Sequence, residues 1–441
     1  MSAVLDFPVK PEARPYIDGA RGFAGEPEWL AQRRRRALAK FAEQGFPSRR
    51  GEAWRYLDLR PLEQAPLPPA AAGRAAANGE AAATLAAIGF SAAAARLVLV
   101  DGCFSAELSA ITDLPRGISL RPTRQAVETR PDLVQAALEA LSHQPDQPFA
   151  GLNAACFTDG FVLDVAPGAV LEEPIEIVHI ASGEIAASLH TRSLVSLGPE
   201  SRVRLIEVYL GDGRYWRNDV VALQLAAGAA VDRVALVEEA DEATHFAVFD
   251  AALGPAARLE SFALLLGGAA IRQEAFVRSD GEGAYCGLHG AFLAQHHQQA
   301  NIVTTVDHRA ARGETREVFK GVAAGRAHGA FQGRITVRPD AQKVDAHMLS
   351  RNLLIGAHAA IDTKPELEIL ADDVKCSHGA AVGDLDEAAL FYLLARGIPR
   401  DEARHMLVEG FLGEAVDIVR PAALREHLRR RLVRRLAALE E

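Results

Sequence analysis

Between about residues 155 and 383 the chain alternates short β-branched and aliphatic runs with Gly/Pro turns. Helical spacing is scarce there, so the pattern predicts strands. A turn-then-strand unit recurs: APGAVLEEPIEIV around Gly168, LGPESRVRLIEVYL around Gly198, AAGAAVDRVALVEE around Gly228 and LGPAARLESFALLL around Gly254. These glycines lie 30, 30 and 26 residues apart. A unit repeating at this period predicts stacked β rungs with the four glycines at equivalent corners, where glycine tolerates backbone angles that other residues resist. A β-sandwich also gives frequent turns, and the irregular spacing leaves it open.

Helical periodicity frames this stretch. Residues 27–44, PEWLAQRRRRALAKFAEQ, set Trp29, Leu30, Ala37, Leu38 and Phe41 on one stripe. The run Arg33–Arg36 within it reads as a solvated face or as an anion-binding patch. Residues 61–83 are rich in Pro, Ala and Gly and read as a linker or exposed loop. RLVLVDG, Arg96–Gly102, reads as a strand, and a helix is expected within Asp132–Ser142.

Three helical patterns follow Gly383. LDEAALFYLLARGI has Asp384 as a candidate N-cap. PRDEARHMLVEGFLGEAVDIV has Pro399 placed for a first turn. PAALREHLRRRLVRRLAALEE spaces Leu424, Leu428, Leu432 and Leu436 by four and carries arginines on its other face. Such a stripe docks a partner, lies on a membrane surface, or packs on its own domain. The implied organisation is an N-terminal helical region with a Pro/Ala-rich linker (1–95), a mixed α/β lead-in (96–154), a β core (155–383) and a C-terminal helical domain (384–441).

Composition narrows the class. A chain of 441 residues with 49% hydrophobic and 24% charged residues can bury a substantial core. The net charge of −10 argues against a nucleic-acid partner. Four cysteines without a paired framework suggest a reducing compartment. The N-terminal residues carry no apolar signal-type stretch, and no apolar run reaches membrane-spanning length. A cytoplasmic protein is the expectation.

Catalytic motifs are missing. The chain has no G-x-x-x-x-G-K-[ST], H-E-x-x-H, C-x-x-C or G-x-S-x-G. Cys103 and Cys156 lie among apolar residues and read as structural thiols. Cys286 stands near His289, which is slightly more suggestive. The candidate site is Cys376 and His378, in DDVKCSHGA just before the helical domain. On a strand, residues i and i+2 share a face, so thiol and imidazole stand side by side, on the parity of Asp372. That donor pair suits zinc or iron in iron–sulfur chemistry. Two ligands leave a tetrahedral site half built, so others must come from elsewhere.

Several segments, in order, resemble the SufD family of scaffold subunits in the Suf iron–sulfur cluster assembly system. They are FPSRRGEAWRYLDL (Phe46–Leu59), LVLVDGCFS (Leu97–Ser105), LNAACFTDGFVLDV (Leu152–Val165), GAFQGRITVRPDAQKVDAHMLSRNLLIG (Gly329–Gly356) and DDVKCSHGA (Asp372–Ala380). The resemblance implies a mainly β protein: a right-handed parallel β-helix core flanked by N-terminal and C-terminal α-helical domains. It implies a non-enzymatic scaffold that handles a transient iron–sulfur cluster at Cys376 and His378. The partners implied are a SufB-like subunit at the β-helix end and a SufC-like ABC ATPase at the carboxy-terminal helices. Docking of the ATPase is expected around Phe411 and Leu412. An isolated chain could form a homodimer through the surface that meets SufB. Two other classes compete: a β-helix carbohydrate-active enzyme, for which Asp372 and Asp373 are poorly paired, and a purely structural interaction protein.

Overall fold

The computed structural model describes residues 9–437 except 72, 74–77, 89, 91, 112, 140–146 and 184–185. The expected helix within Asp132–Ser142 is described over Pro131–Glu139, and its remainder lies outside the described residues. Strands from Phe161–Val165 to Lys375–Gly383 wind back and forth between two sheets, so that consecutive strands alternate sheets. Among the described residues one sheet has ten strands and the other nine, and neighbours across the core pair in parallel. This is a β-solenoid, a parallel β-helix with helices at both ends, as the resemblance implies. Strand Ala95–Val100 pairs in parallel with Ile175–Ala181, so the ten-stranded sheet already begins upstream of residue 155.

The repeat is real, but its register differs from the glycine alignment. One corner of the solenoid places Gly168, Glu200, Gly228, Ala256, Gly283, Arg312 and Lys343 at positive φ, between 52° and 70°. The amide of each donates to the next turn: Gly168 to Pro199, Glu200 to Ala227, Gly228 to Pro255 and Ala256 to Glu282. Gly198 and Gly254 sit in the same corner, two residues ahead of that position. The four glycines therefore occupy two positions, not one. Steric crowding explains the second pair. A Cβ on Gly198 would stand 2.6 Å from the Pro167 nitrogen, and one on Gly254 2.9 Å from the Leu225 carbonyl. Gly168 and Gly228 instead supply the left-handed angle that costs other residues energy.

Each sheet turns alternate residues into a shared lumen and the others outward. The lumen is lined by the main apolar cluster, for example Leu205, Val231, Leu259, Phe292 and Ile335. Outward residues of the nine-stranded sheet receive the N-terminal region. Trp54, Phe149, Trp216 and Phe246 form an aromatic cluster there, with ring centroids 5.0–6.1 Å apart. Arg272 stacks 4.0 Å over Trp54. The arginine run is not a uniformly solvated face. Arg34 is buried: it donates to the carbonyls of Ala155 (2.9 Å) and Phe157 (2.8 Å) and pairs with Glu26. Carbonyls left over at the end of helix Pro148–Cys156 give it a reason to be inside. The Pro/Ala-rich stretch is also more ordered than a linker. It includes helix Arg60–Gln64, a bridge from Pro69 to Ser188, and the start of helix Asn78–Ile88, whose Ala81 is buried.

Of the carboxy-terminal helices Glu387–Leu394, Arg400–Val416 and Ala422–Leu436, the last two pack on the outward face of the ten-stranded sheet and the first packs on the second. The N-cap of the first is Asp386 rather than Asp384, because its carboxylate accepts from the amides of Ala388 (2.8 Å) and Ala389 (3.2 Å). Leu424, Leu428, Leu432 and Leu436 are all buried against the sheet, which settles the leucine stripe as internal packing. Several arginines of that helix are also engaged. Arg431 reaches Glu238 (2.5 Å), Arg435 reaches Asp241 (2.8 Å) and Arg429 reaches Asp417 (2.6 Å).

Candidate functional site

Among the described residues no further strand caps the solenoid. There, strand Lys375–Gly383 ends one sheet and pairs only with Asp345–Ile355, and strand Ala360–Ile369 ends the other and pairs only with His328–Val337. Each therefore has one backbone edge without a strand partner. These edges are built differently. Ala360–Ile369 carries Lys364, Pro365, Glu366 and Glu368, and a proline with flanking charges is a usual way of blunting an edge. Lys375–Gly383 reads KCSHGAAVG and has one charge, at its first residue. It remains receptive to another strand.

Cys376 and His378 sit on this second edge. Their strand partners are Ala346 and Met348, both buried in the lumen cluster. The pair thus continues two lumen-facing columns and stands at the lumen's open mouth. Cys376 is partly buried and packs on the inner core, while His378 is exposed. Burial pushes the Cys376 thiol up, and the Asp345 carboxylate adds to this, against an opposing hydrogen bond from the Ala346 amide. The thiol is therefore protonated at neutral pH, and a metal must displace the proton to bind. Asp372 does not join the pair, because it lies in the bend before the strand begins. Among the described residues no cluster of three or more His, Cys, Asp or Glu side chains is placed to hold a metal ion.

The other thiols fall elsewhere. Cys286 is buried in the same column as Cys376, separated from it by Ala346 and Thr315, with its thiol raised well above the usual range by burial. His289 lies on the opposite face of that strand and bonds Glu260 at 2.8 Å, so the two do not form a pair. Cys156 is enclosed and pushed up to about 12 by burial.

Two features had no single-motif signal. One is a buried polar network in the first turns of the lumen. Tyr209 donates to Asp219 (2.7 Å) and Glu207 (3.1 Å), Arg233 pairs with Glu207, and Arg217 holds Glu239 (2.6 Å), which also meets His245 (2.8 Å). The only hint in the sequence was charge at lumen parity, as in RLIEVYL. The second feature is an outward chain beside the candidate site. Arg316 contacts Asp345 (2.9 Å), Asp345 contacts His347 Nε2 (2.9 Å), and His347 Nδ1 contacts Ser377 Oγ (2.5 Å). Three different rungs supply these residues.

The carboxy-terminal helices correct another expectation. Leu412 is fully buried and Phe411 packs against the same cluster, under Lys320, which lies 4.5 Å over its ring. Leu412 fastens the helices to the sheet and is not free to anchor a partner, whereas Phe411 is only partly buried. Among the described residues, Phe391 (71% exposed) and Tyr392 (57%) on helix Glu387–Leu394 are the most exposed large hydrophobics of this unit, ahead of Met406 (45%) and Val433 (43%).

Fold and edge together define a class: a β-solenoid protein whose last strand, among the described residues, is unpaired on one side and displays a thiol and an imidazole. Comparison with known proteins supplies the family. Residues 179–411 match the model described as SUF system FeS cluster assembly, SufBD core domain, and residues 23–177 match the SufBD protein N-terminal region. The chain belongs to the SufBD family. It is 29% identical over 408 residues to the iron–sulfur cluster assembly protein SufD of Escherichia coli, covering 90% of this chain and 91% of that one. A SufBD family protein of Synechocystis sp. is 28% identical, covering 91% and 90%. SufD of Bacillus subtilis is 25% identical, covering 68% and 70%.

Proposed function

We propose that this chain is a non-enzymatic scaffold subunit that holds a nascent iron–sulfur cluster as cargo at Cys376 and His378. One observation carries the reading: a thiol and an imidazole share the lumen-facing row of an outermost strand whose free edge is not blunted. Weak retention suits a scaffold. Two ligands with open access release a cluster more readily than a closed four-thiolate cage. The remaining ligands come from a SufB-like subunit added along Lys375–Gly383, where main-chain hydrogen bonding supplies affinity. In isolation a second copy of this chain takes that edge. ATP hydrolysis belongs to a SufC-like ABC ATPase docked on the carboxy-terminal helices, with Phe391 and Tyr392 as apolar anchors. The setting is cytoplasmic.

The test is co-purification with candidate SufB and SufC partners, followed by anaerobic iron and sulfide analysis. The complex is expected to carry both elements, and Cys376→Ala/His378→Ala to lose most of them without losing the partners. Unchanged iron and sulfide in the double variant refutes the site.

A further inference from the structure

The last strand has a neighbour on one side only, yet it must hold Cys376 and His378 in a fixed register. Ser377 lies between them and faces outward. Its hydroxyl meets His347 Nδ1 at 2.5 Å, and His347 Nε2 meets Asp345 Oδ1 at 2.9 Å. His347 therefore hydrogen-bonds Ser377 through Nδ1, while its Nε2 stands beside the Asp345 carboxylate as a close polar contact without hydrogen-bond geometry. Asp345 is held in turn by Arg316, whose Nη2 lies 2.9 Å from the same oxygen. Arg316 Nη1 also donates to the carbonyls of Thr315 (2.9 Å) and Asp345 (2.8 Å). The chain runs unbroken across the last three strands of the sheet.

We infer that Arg316, Asp345 and His347 form a clamp that positions the outermost strand through Ser377, and so fixes how Cys376 and His378 are presented. These are positioning residues; none touches the cargo. The inference rests on the proposed role of Cys376 and His378. Ser377, His347 and Asp345 also match a nucleophile, a base and an orienting acid. Their setting favours the clamp. His347 is 45% exposed and Asp345 34%, so the water-excluded environment that makes such a relay effective is missing.

The test uses the full-length chain carrying His347→Ala or Ser377→Ala. Hydrogen–deuterium exchange is followed over residues 375–383. Iodoacetamide labelling of Cys376, mapped by mass spectrometry, is followed across pH, so that the limiting rate reports access and the midpoint reports acidity. Exchange over 375–383 is expected to quicken about tenfold, with strand His328–Val337 unchanged. The limiting labelling rate should rise in parallel. His347→Gln, whose amide oxygen accepts from Ser377, should restore both. Unaltered exchange and labelling overturn the clamp, and so does an equal acceleration along the whole chain. Labelling of Ser377 by a fluorophosphonate that disappears in His347→Ala also overturns it, in favour of a nucleophile. Neither readout needs a cluster. If the clamp holds while Cys376→Ala/His378→Ala leaves iron and sulfide unchanged in the co-purified complex, only the functional reading fails.

Discussion

The two ends of one solenoid treat polar side chains in opposite ways. In the early turns Glu207, Arg217, Asp219, Arg233, Glu239 and His245 are shut inside the lumen and bonded to one another. At the last turn Cys376 and His378 occupy the same kind of lumen-facing position, but among the described residues no further rung closes over them. An interior rung has a neighbour on both sides and helices outside it, so its charges are paired or costly. The final rung lacks one neighbour, so its donors keep free coordination capacity. The proposed function rests on groups that the fold leaves unsatisfied at its own edge.

The largest effect should come from breaking the interior network. Arg217→Met leaves Glu239 buried without its guanidinium. Denaturant unfolding should show a loss of about 3–5 kcal/mol. A loss as small as that of a surface change would mean that the network is not the closed, dry element contrasted here.

Leu412→Ala should follow, at about 2–5 kcal/mol, because it opens a cavity between the helices and the sheet. Phe391→Ala/Tyr392→Ala should change stability by no more than about 0.5 kcal/mol, yet lose capture of the ATPase in a pull-down. Normal capture by that double variant would remove the proposed docking anchors.

pH sharpens the contrast further. Burial holds His179 and His190 down to about 3 and His308 to about 4. The unfolded chain takes up these protons near pH 6.5 and the folded chain resists them. Their contribution is therefore full above pH 6.5 and falls as the pH drops toward 3. Glu317 runs the other way. Burial, partly offset by the Thr304 hydroxyl, pushes it up to about 8, so stability is lost as the pH rises from about 4.5 through 8. Glu317→Gln should flatten the alkaline side of the stability profile. An unchanged alkaline limb would show that this carboxyl is not enclosed.

The smallest effect on stability is expected at the candidate site. Cys376→Ala/His378→Ala should lie within about 0.5 kcal/mol of the unaltered chain in the same unfolding measurement, since one residue is exposed and the other partly so. A large loss would make the pair structural and erase the difference between the two ends.

Much of the architecture was legible in residue order. Turn spacing disclosed the stacked rungs, and i, i+2 parity put Cys376 and His378 on one face. Helical periodicity located the three carboxy-terminal helices. Glycine identity misled in detail, because Gly198 and Gly254 serve close packing while Glu200 and Ala256 take the strained angle. Arg34 looked solvated in its run and is instead buried beneath the carbonyls of Ala155 and Phe157. Leu412 looked available and is packed inward.

By itself, then, the sequence determined the strand and helix periods, the parity of the thiol–imidazole pair and the absence of a phosphate-binding loop. These depend on neighbours within a few residues, and local geometry transmits them directly. Only the tertiary structure decided which edge stays open, which arginines are satisfied, and that Asp345, His347 and Ser377 meet. Those contacts join residues about one rung apart in register, such as His347 with Ser377. Stacking creates them, and no spacing within a single segment encodes the register between rungs.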